Sequence, residues 1–122
     1  MKEQDYIKRN LQGFEGDNEI FKEIKRITKE NHIKVAVETG TYLGGTTKRL
    51  TEIFTKVHTI ECDISNCSKS REYLHELIEH NRVVAKFGDS AVDLLPMIQK
   101  IKQEKVFFFL DYLRVHHSKP VK

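Results

Sequence analysis

Short apolar runs alternate with amphipathic segments along the whole chain. Ile20, Phe21, Ile24 and Ile27 recur at helical spacing behind Asp17 and Asn18, either of which can cap the first turn, so a helix is predicted to about Glu30. Upstream, Gly13 and Gly16 punctuate residues 1–16, which read as a short helix plus a loop. Lys34 to Glu38 holds a Val-Ala-Val core without polar alternation, the pattern of a parallel strand covered on both faces. Thr46 to Thr55 is predicted as the next helix, with Leu50, Ile53 and Phe54 on one face, and Val57 to Glu61 as the second strand. A long amphipathic helix is predicted from about Asn66 to His80, carrying Tyr73, Leu74, Leu77 and Ile78, before a third strand from Arg82 to Phe87. Gly88-Asp89-Ser90 then turns into a short helix. Pro96 has no amide hydrogen and clashes with the preceding turn, so it is read as the start of a second helical piece, Pro96 to Lys102. Val106 to Leu110 is the fourth strand, and Tyr112 to Lys122 is a basic, polar tail without periodicity.

Strands that alternate with helices imply an α/β fold: a three-layer, Rossmann-like parallel sheet with right-handed crossovers and helices on both faces. No repeat, linker or low-complexity segment divides the chain, so residues 1–122 are read as one unit: an N-terminal helical segment (1–31), a core (33–112) and the tail (113–122).

Composition narrows the function classes. The 122 residues suffice for one modest core. Charged residues make up 32% and apolar ones 39%, which predicts well-solvated outer helix faces. The net charge of +3 is too mild, and its bases too interleaved with acids, to argue for nucleic acid. No secretory signal and no membrane-length apolar run is visible. Cys62 and Cys67 form no disulfide framework, which predicts a cytoplasmic protein with reduced thiols, and two cysteines supply too few ligands for a metal site. No serine, histidine and acid combination carries a hydrolase motif. His116 and His117 belong to the tail, and Phe107-Phe108-Phe109 is read as core.

The candidate chemistry lies where the first strand meets its loop, Glu38-Thr39-Gly40-Thr41-Tyr42-Leu43-Gly44-Gly45-Thr46. Open α/β sheets bind ligands at the carboxyl ends of their strands. The spacing here is Gly40-x-x-x-Gly44-Gly45, not the G-x-G-x-x-G of dinucleotide sites, so binding of a dinucleotide is the third-ranked reading. Glu38 at the strand tip would repel a phosphate by an energy on the order of 4 kcal/mol at ~4 Å and an effective dielectric near ~20. A ligand with an ammonium or sulfonium centre gains from the same charge, and S-adenosylmethionine carries both. Glu61, about 20 residues past the loop, suits two ribose hydroxyls. Asp89 can accept from an adenine amine, and the backbone amides from Gly44 to Thr46 open a helix able to hold a carboxylate. Each acid has a second reading: Glu38 as a cap of its loop or a partner of a lysine, Glu61 as a solvated strand tip, and Asp89 as a helix N-cap.

The loop resembles the E-x-G-x-x-x-G-x-[ST] segment of class I S-adenosylmethionine-dependent methyltransferases, in particular the small O-methyltransferase-like branch. Thr59-Ile60-Glu61, Gly88-Asp89-Ser90 with Leu95-Pro96, and Phe108-Phe109-Leu110-Asp111 are similar to three further segments of that family, in order and in register over residues 33–112. The resemblance implies the strand order 3-2-1-4 and a set of roles. Glu38, Gly40, Thr41, Gly44 and Thr46 would line the methionine end, Glu61 would hold the ribose, and Asp89 and Ser90 would lie by the adenine. Asp111 would be the catalytic residue, facing the transferred methyl group and orienting or deprotonating the acceptor. No metal is assigned, because further ligands expected downstream have no counterpart.

Only eleven residues follow Asp111, so the expectation is a sheet lacking the last strands of the complete family fold. Two functions follow: a methyltransferase domain with an unidentified acceptor, or a truncated domain that binds cofactor or protein without turnover. The fourth strand would be an apolar edge, which predicts homodimerisation through it, coverage by the tail, or poor solubility.

Overall fold

The computed structural model describes Gln4, Lys8 and residues 11–103 and 105–110. Four strands form one parallel sheet: β1 (Val35–Thr39), β2 (Lys56–Glu61), β3 (Val83–Phe87) and β4 (Val106–Leu110). Their order is β3-β2-β1-β4, as the resemblance implied. β1 is central, with Glu38 aligned to Thr59 of β2 on one side and Phe109 of β4 on the other.

The helices are α1 (Asn18–Asn31), α2 (Gly45–Leu50), α3 (Ile64–Tyr73), α4 (His75–Glu79) and α5 (Ser90–Gln99). A 3-10 turn, Phe14–Gly16, precedes α1. The Asp17 carboxylate caps α1 by accepting from the amides of Glu19 and Ile20, and His32 closes it in a left-handed conformation. Because successive strand residues face opposite ways, β1 feeds two cores. Ala36 packs with Phe14, Ile24, Leu50, Phe54 and Val57 under α1 and α2. Val37 packs with Ile60 and Met97 under α5. The observed layers are therefore helix, sheet, helix. Among the described residues no helix is long and apolar enough to cross a membrane.

Three element boundaries differ from expectation. The helix expected to reach Thr55 ends at Leu50. The last helical carbonyls, of Lys48, Arg49 and Leu50, accept from the amides of Thr51, Glu52 and Ile53 in tighter turns, and the guanidinium of Arg82 holds the chain beyond by donating to the carbonyls of Thr51, Phe54 and Thr55. The helix expected from Asn66 to His80 is broken at Leu74, which leaves the helical basin (φ −96°, ψ 10°). Leu74 is buried, and it packs so tightly against Gly44 that a β-carbon there would lie 3.1 Å from its side chain. The residues expected as two helical pieces around Pro96 form one helix, α5, with the proline inside. Pro96 is exposed, as is Val92, whose carbonyl loses the amide partner, so the gap in the ladder falls on the outer face, where water can fill it.

Candidate functional site at the strand carboxyl ends

The tips of β1, β2 and β3 are laced together by main-chain bonds. The amides of Gly40 and Gly88 donate to the carbonyls of Ile60 (2.8 Å) and Glu61 (2.9 Å) respectively. The glycine loop thus springs from a fixed edge. It turns through two left-handed glycines, Gly40 (φ 82°) and Gly44 (φ 95°), and through Tyr42, which holds a positive φ of 53° without being glycine. Such a backbone is strained for a bulky residue and persists only when its surroundings hold it.

Glu61 does the holding. Its Oε1 accepts from the Tyr42 amide at 2.7 Å, and its Oε2 accepts from the Asp63 amide at 3.0 Å. One buried carboxylate, 4% exposed, therefore clamps both loops that border the crevice. Asp63 in turn caps α3 by accepting from the Asn66 amide, so the second loop runs straight into a fixed helix.

Glu38 lies deeper, at 1% exposure. Its Oε1 accepts from the hydroxyls of Thr59 (2.8 Å) and Thr47. The Thr59 proton being committed to Glu38, the hydroxyl of buried Thr41 must donate in the 2.6 Å contact between Thr41 and Thr59. Four residues from β1, the loop, α2 and β2 thus share one chain of charge-assisted and neutral hydrogen bonds. Sequence reasoning found Glu38 and Thr41 but missed Thr47 and Thr59. The available signal was a threonine inside an otherwise buried strand, at the position that a parallel register places beside Glu38.

Asp89 caps α5, accepting from the Ala91 amide at 2.9 Å while its own amide donates to Asp93 Oδ2 at 2.9 Å. Its carboxylate stays exposed at the rim, and Ser90 begins α5 beside it. Thr46 is engaged elsewhere: its hydroxyl accepts from the Phe14 amide at 2.8 Å and ties the N-terminal segment to α2. Gly44 faces Tyr73 and Leu74. Asp111 lies outside the described residues.

The acids give the crevice a negative field, and Cys62 senses it. Partial burial raises its thiol pKa above the ordinary value, and the carboxylates of Glu61, Asp89 and Asp63 push it further in the same direction. A cation gains in that field and a phosphate loses. Among the described residues no cluster of three or more His, Cys, Asp or Glu could hold a metal ion. The open groove beside Ile98 and Val106 lies at the opposite, amino end of β4, away from these acids.

No protein-family model matches the chain, and no curated protein does. Solved structures do match. The O-methyltransferase of Bacillus cereus, in complex with SAH, superposes with a TM-score of 0.56 at 23% identity, over 75% of this chain and 44% of that one. The O-methyltransferase TomG of Streptomyces achromogenes, involved in tomaymycin synthesis and in complex with SAM, gives 0.57 at 19%, over 80% and 46%. The SAH-bound methyltransferase PaMTH1 of Podospora anserina gives 0.57 at 18%, over 75% and 39%. The fold is therefore the Rossmann-like fold of these methyltransferases, and the chain spans less than half the length of each of the three.

Proposed function

We propose that this chain is an S-adenosylmethionine-binding methyltransferase domain that transfers a methyl group to an acceptor still to be identified. The observation that carries the reading is the Glu61 clamp: a buried carboxylate at the second strand tip, fixed by two backbone amides. An ionised carboxylate has about four accepting positions, so the two amides leave acceptor capacity for a pair of ribose hydroxyls. The presence of SAM or SAH in three structures of the same fold supports the choice of ligand.

In this reading Gly40, Thr41 and Gly44 shape the loop against the methionine end, with Glu38 beneath it. The amides from Gly44 to Thr46 face the carboxylate, and Asp89 and Ser90 border the adenine. The cofactor supplies an electrophilic methyl carbon. What remains for the protein is to hold the acceptor in line behind the sulfonium bond, and proximity of that kind supplies most of the acceleration. Asp111 is proposed to orient the acceptor or take its proton. The two free thiols agree with a cytoplasmic setting. A second reading, binding without turnover, draws on the share of the solved chains that is matched, 39–46%.

Calorimetric titration with S-adenosylhomocysteine tests the site. Saturable binding that Glu61→Gln weakens by tenfold or more is the expected outcome; no binding, or binding of NAD in its place, rejects it. Release of S-adenosylhomocysteine from S-adenosylmethionine in the presence of an acceptor separates the enzyme from the binding module.

A further inference from the structure

Leu74 is 1% exposed, yet it is a member of neither core cluster. Its side chain packs instead on the glycine loop. A β-carbon built on Gly44 would lie 3.1 Å from Leu74 Cγ and Cδ1 and 3.2 Å from Tyr73 Cδ2, so both side chains rest on the bare backbone of that glycine. Gly44 also holds a φ of 95°, which favours glycine for a second reason. The break between α3 and α4 falls at the residue that makes this contact, with Leu74 at φ −96° and ψ 10°.

Helix α3 joins the same contact to the Glu61 clamp. At its start the Asp63 amide donates to Glu61 Oε2, and the Asp63 carboxylate accepts from the Asn66 amide. Near its end Arg71 Nη2 donates to the carbonyl of Ala85 at 2.9 Å, which pins the helix to β3. Leu74 follows directly and reaches Gly44. The loop is thus held to one rigid helix at two points: at Tyr42 through Glu61, and at Gly44 through Leu74. Tyr42, with its positive φ of 53°, sits at the first of them, where a strained backbone needs its surroundings to hold it.

We propose that Leu74 is a positioning residue for the crevice: its side chain seats Gly44, and across the short span back to Tyr42 it keeps the Tyr42 amide on Glu61. That carboxylate then presents its remaining acceptor positions in one fixed direction. Leu74 never touches the ligand, and its role rests on the cofactor site proposed above. Small displacements are enough to matter, because a shift of ~1 Å in a group that must be aligned can cost ~100-fold. Held this way, the loop is set before the ligand arrives.

Two measurements on the full chain test the assignment, with Ile24→Ala as the comparison. Ile24 is a buried aliphatic residue of the core under α1, so its truncation also leaves a cavity, but away from the crevice. In the ligand-free protein, Leu74→Ala should speed amide hydrogen exchange at Tyr42 by ~10-fold or more, and Ile24→Ala should not. In calorimetric titration, Leu74→Ala should weaken S-adenosylhomocysteine binding by ~10-fold or more, Ile24→Ala should change it by less than ~2-fold, and the volume-conserving Leu74→Met should restore it. Gly44→Ala loads the contact from the loop side and should speed exchange at Tyr42 as well. An unchanged Tyr42 rate in Leu74→Ala overturns the proposal. So does an equal loss of affinity in Leu74→Ala and Ile24→Ala, which would make Leu74 an ordinary core residue. Should Leu74→Ala fail to fold, Leu74→Val and Gly44→Ala carry the same comparison. If the unmodified chain binds no S-adenosylhomocysteine, the methyltransferase reading fails, while the exchange rates still decide whether Leu74 holds the loop.

Discussion

β1 and β4 are neighbours with similar hydrophobic signatures and opposite environments. β1 carries small aliphatic residues and a glutamate, and all five of its residues are buried. β4 is wholly apolar and far bulkier, yet none of its residues is fully buried. Composition would rank them the other way. What decides burial is the place in the strand order: β1 has a strand on each side and a core on each face, while among the described residues β4 has one neighbour and incomplete cover over Phe108 and Leu110. The central strand can therefore bury a charge, because three threonines from loop, helix and strand converge on Glu38, directly or through Thr59. The edge strand exposes the residues that water least favours.

The largest expected effect probes the buried end of that contrast. Glu38→Ala removes the shared acceptor of Thr47 and Thr59 and leaves a void, at a cost of about 3–5 kcal/mol from the cavity and from two buried hydroxyls left without their acceptor. Glu38→Gln keeps an acceptor oxygen and should cost about 1–2 kcal/mol. Urea denaturation followed by circular dichroism measures both. Equal losses would mean that the lost charge, and not the cavity, sets the cost.

A matched pair of phenylalanines compares the two regions with the chemistry held constant. Phe54 is 1% exposed, and its ring lies 5.6 Å from that of Phe107. Phe54→Ala should lose about 3–5 kcal/mol. Phe108→Ala, on the half-open face, should lose about 1 kcal/mol when measured at submicromolar concentration. A second value close to the first would mean that Phe108 is as well covered as the core.

Glu61 gives the next effect. Glu61→Ala strips the carboxylate from the part-buried amides of Tyr42 and Asp63, and water can reach them in part, so the loss should be about 1–2 kcal/mol. Amide hydrogen exchange should quicken at those two positions first, because Tyr42 already holds a strained backbone. An unchanged exchange rate at Tyr42 would show that the loop is held by something other than this carboxylate.

Much of this arrangement was legible in the chain, for a physical reason. Strands and helices differ in hydrophobic period, and an uninterrupted Val-Ala-Val or Val-Phe-Phe-Phe-Leu run signals a strand without further help. The acids at the strand tips were visible because each closes an apolar run. What escaped was decided by contacts distant in sequence. The break at Leu74 falls where its side chain packs on Gly44, and the chain beyond α2 gives its carbonyls to Arg82, from the foot of β3. Thr47 and Thr59 lie 9 and 21 residues from Glu38, and Tyr42 lies 19 from Glu61, beyond any local pattern. Pro96 shows the converse. A local rule against proline inside a helix was outweighed because the missing bond falls on an exposed face.

At the rim, Asp89→Ala should cost about 1 kcal/mol through loss of the α5 cap, read from thermal unfolding. Asp89→Asn, which keeps the capping oxygen, should restore most of it. The pair also separates cap from charge: both variants should lower the Cys62 thiol pKa, since the Asp89 carboxylate is one of the groups raising it.

The smallest effect concerns His58, on the α5 face of β2 between Val37 and Val84. Burial, and then the neighbouring charge of Lys56, lower its pKa below the ordinary 6.5. The sign follows from proton counting. The unfolded chain binds a proton at this site at a higher pH than the folded chain does, so unfolding takes up protons as the solution is acidified. The folded state keeps its full advantage above pH 6.5 and loses it as the pH falls from there towards the depressed folded value. His58→Gln should flatten that part of the stability–pH curve while leaving the plateau above it in place. An NMR titration of the His58 ring should give a midpoint below 6.5, and a midpoint above it would mean that this face of β2 is wetter than its position between Val37 and Val84 implies.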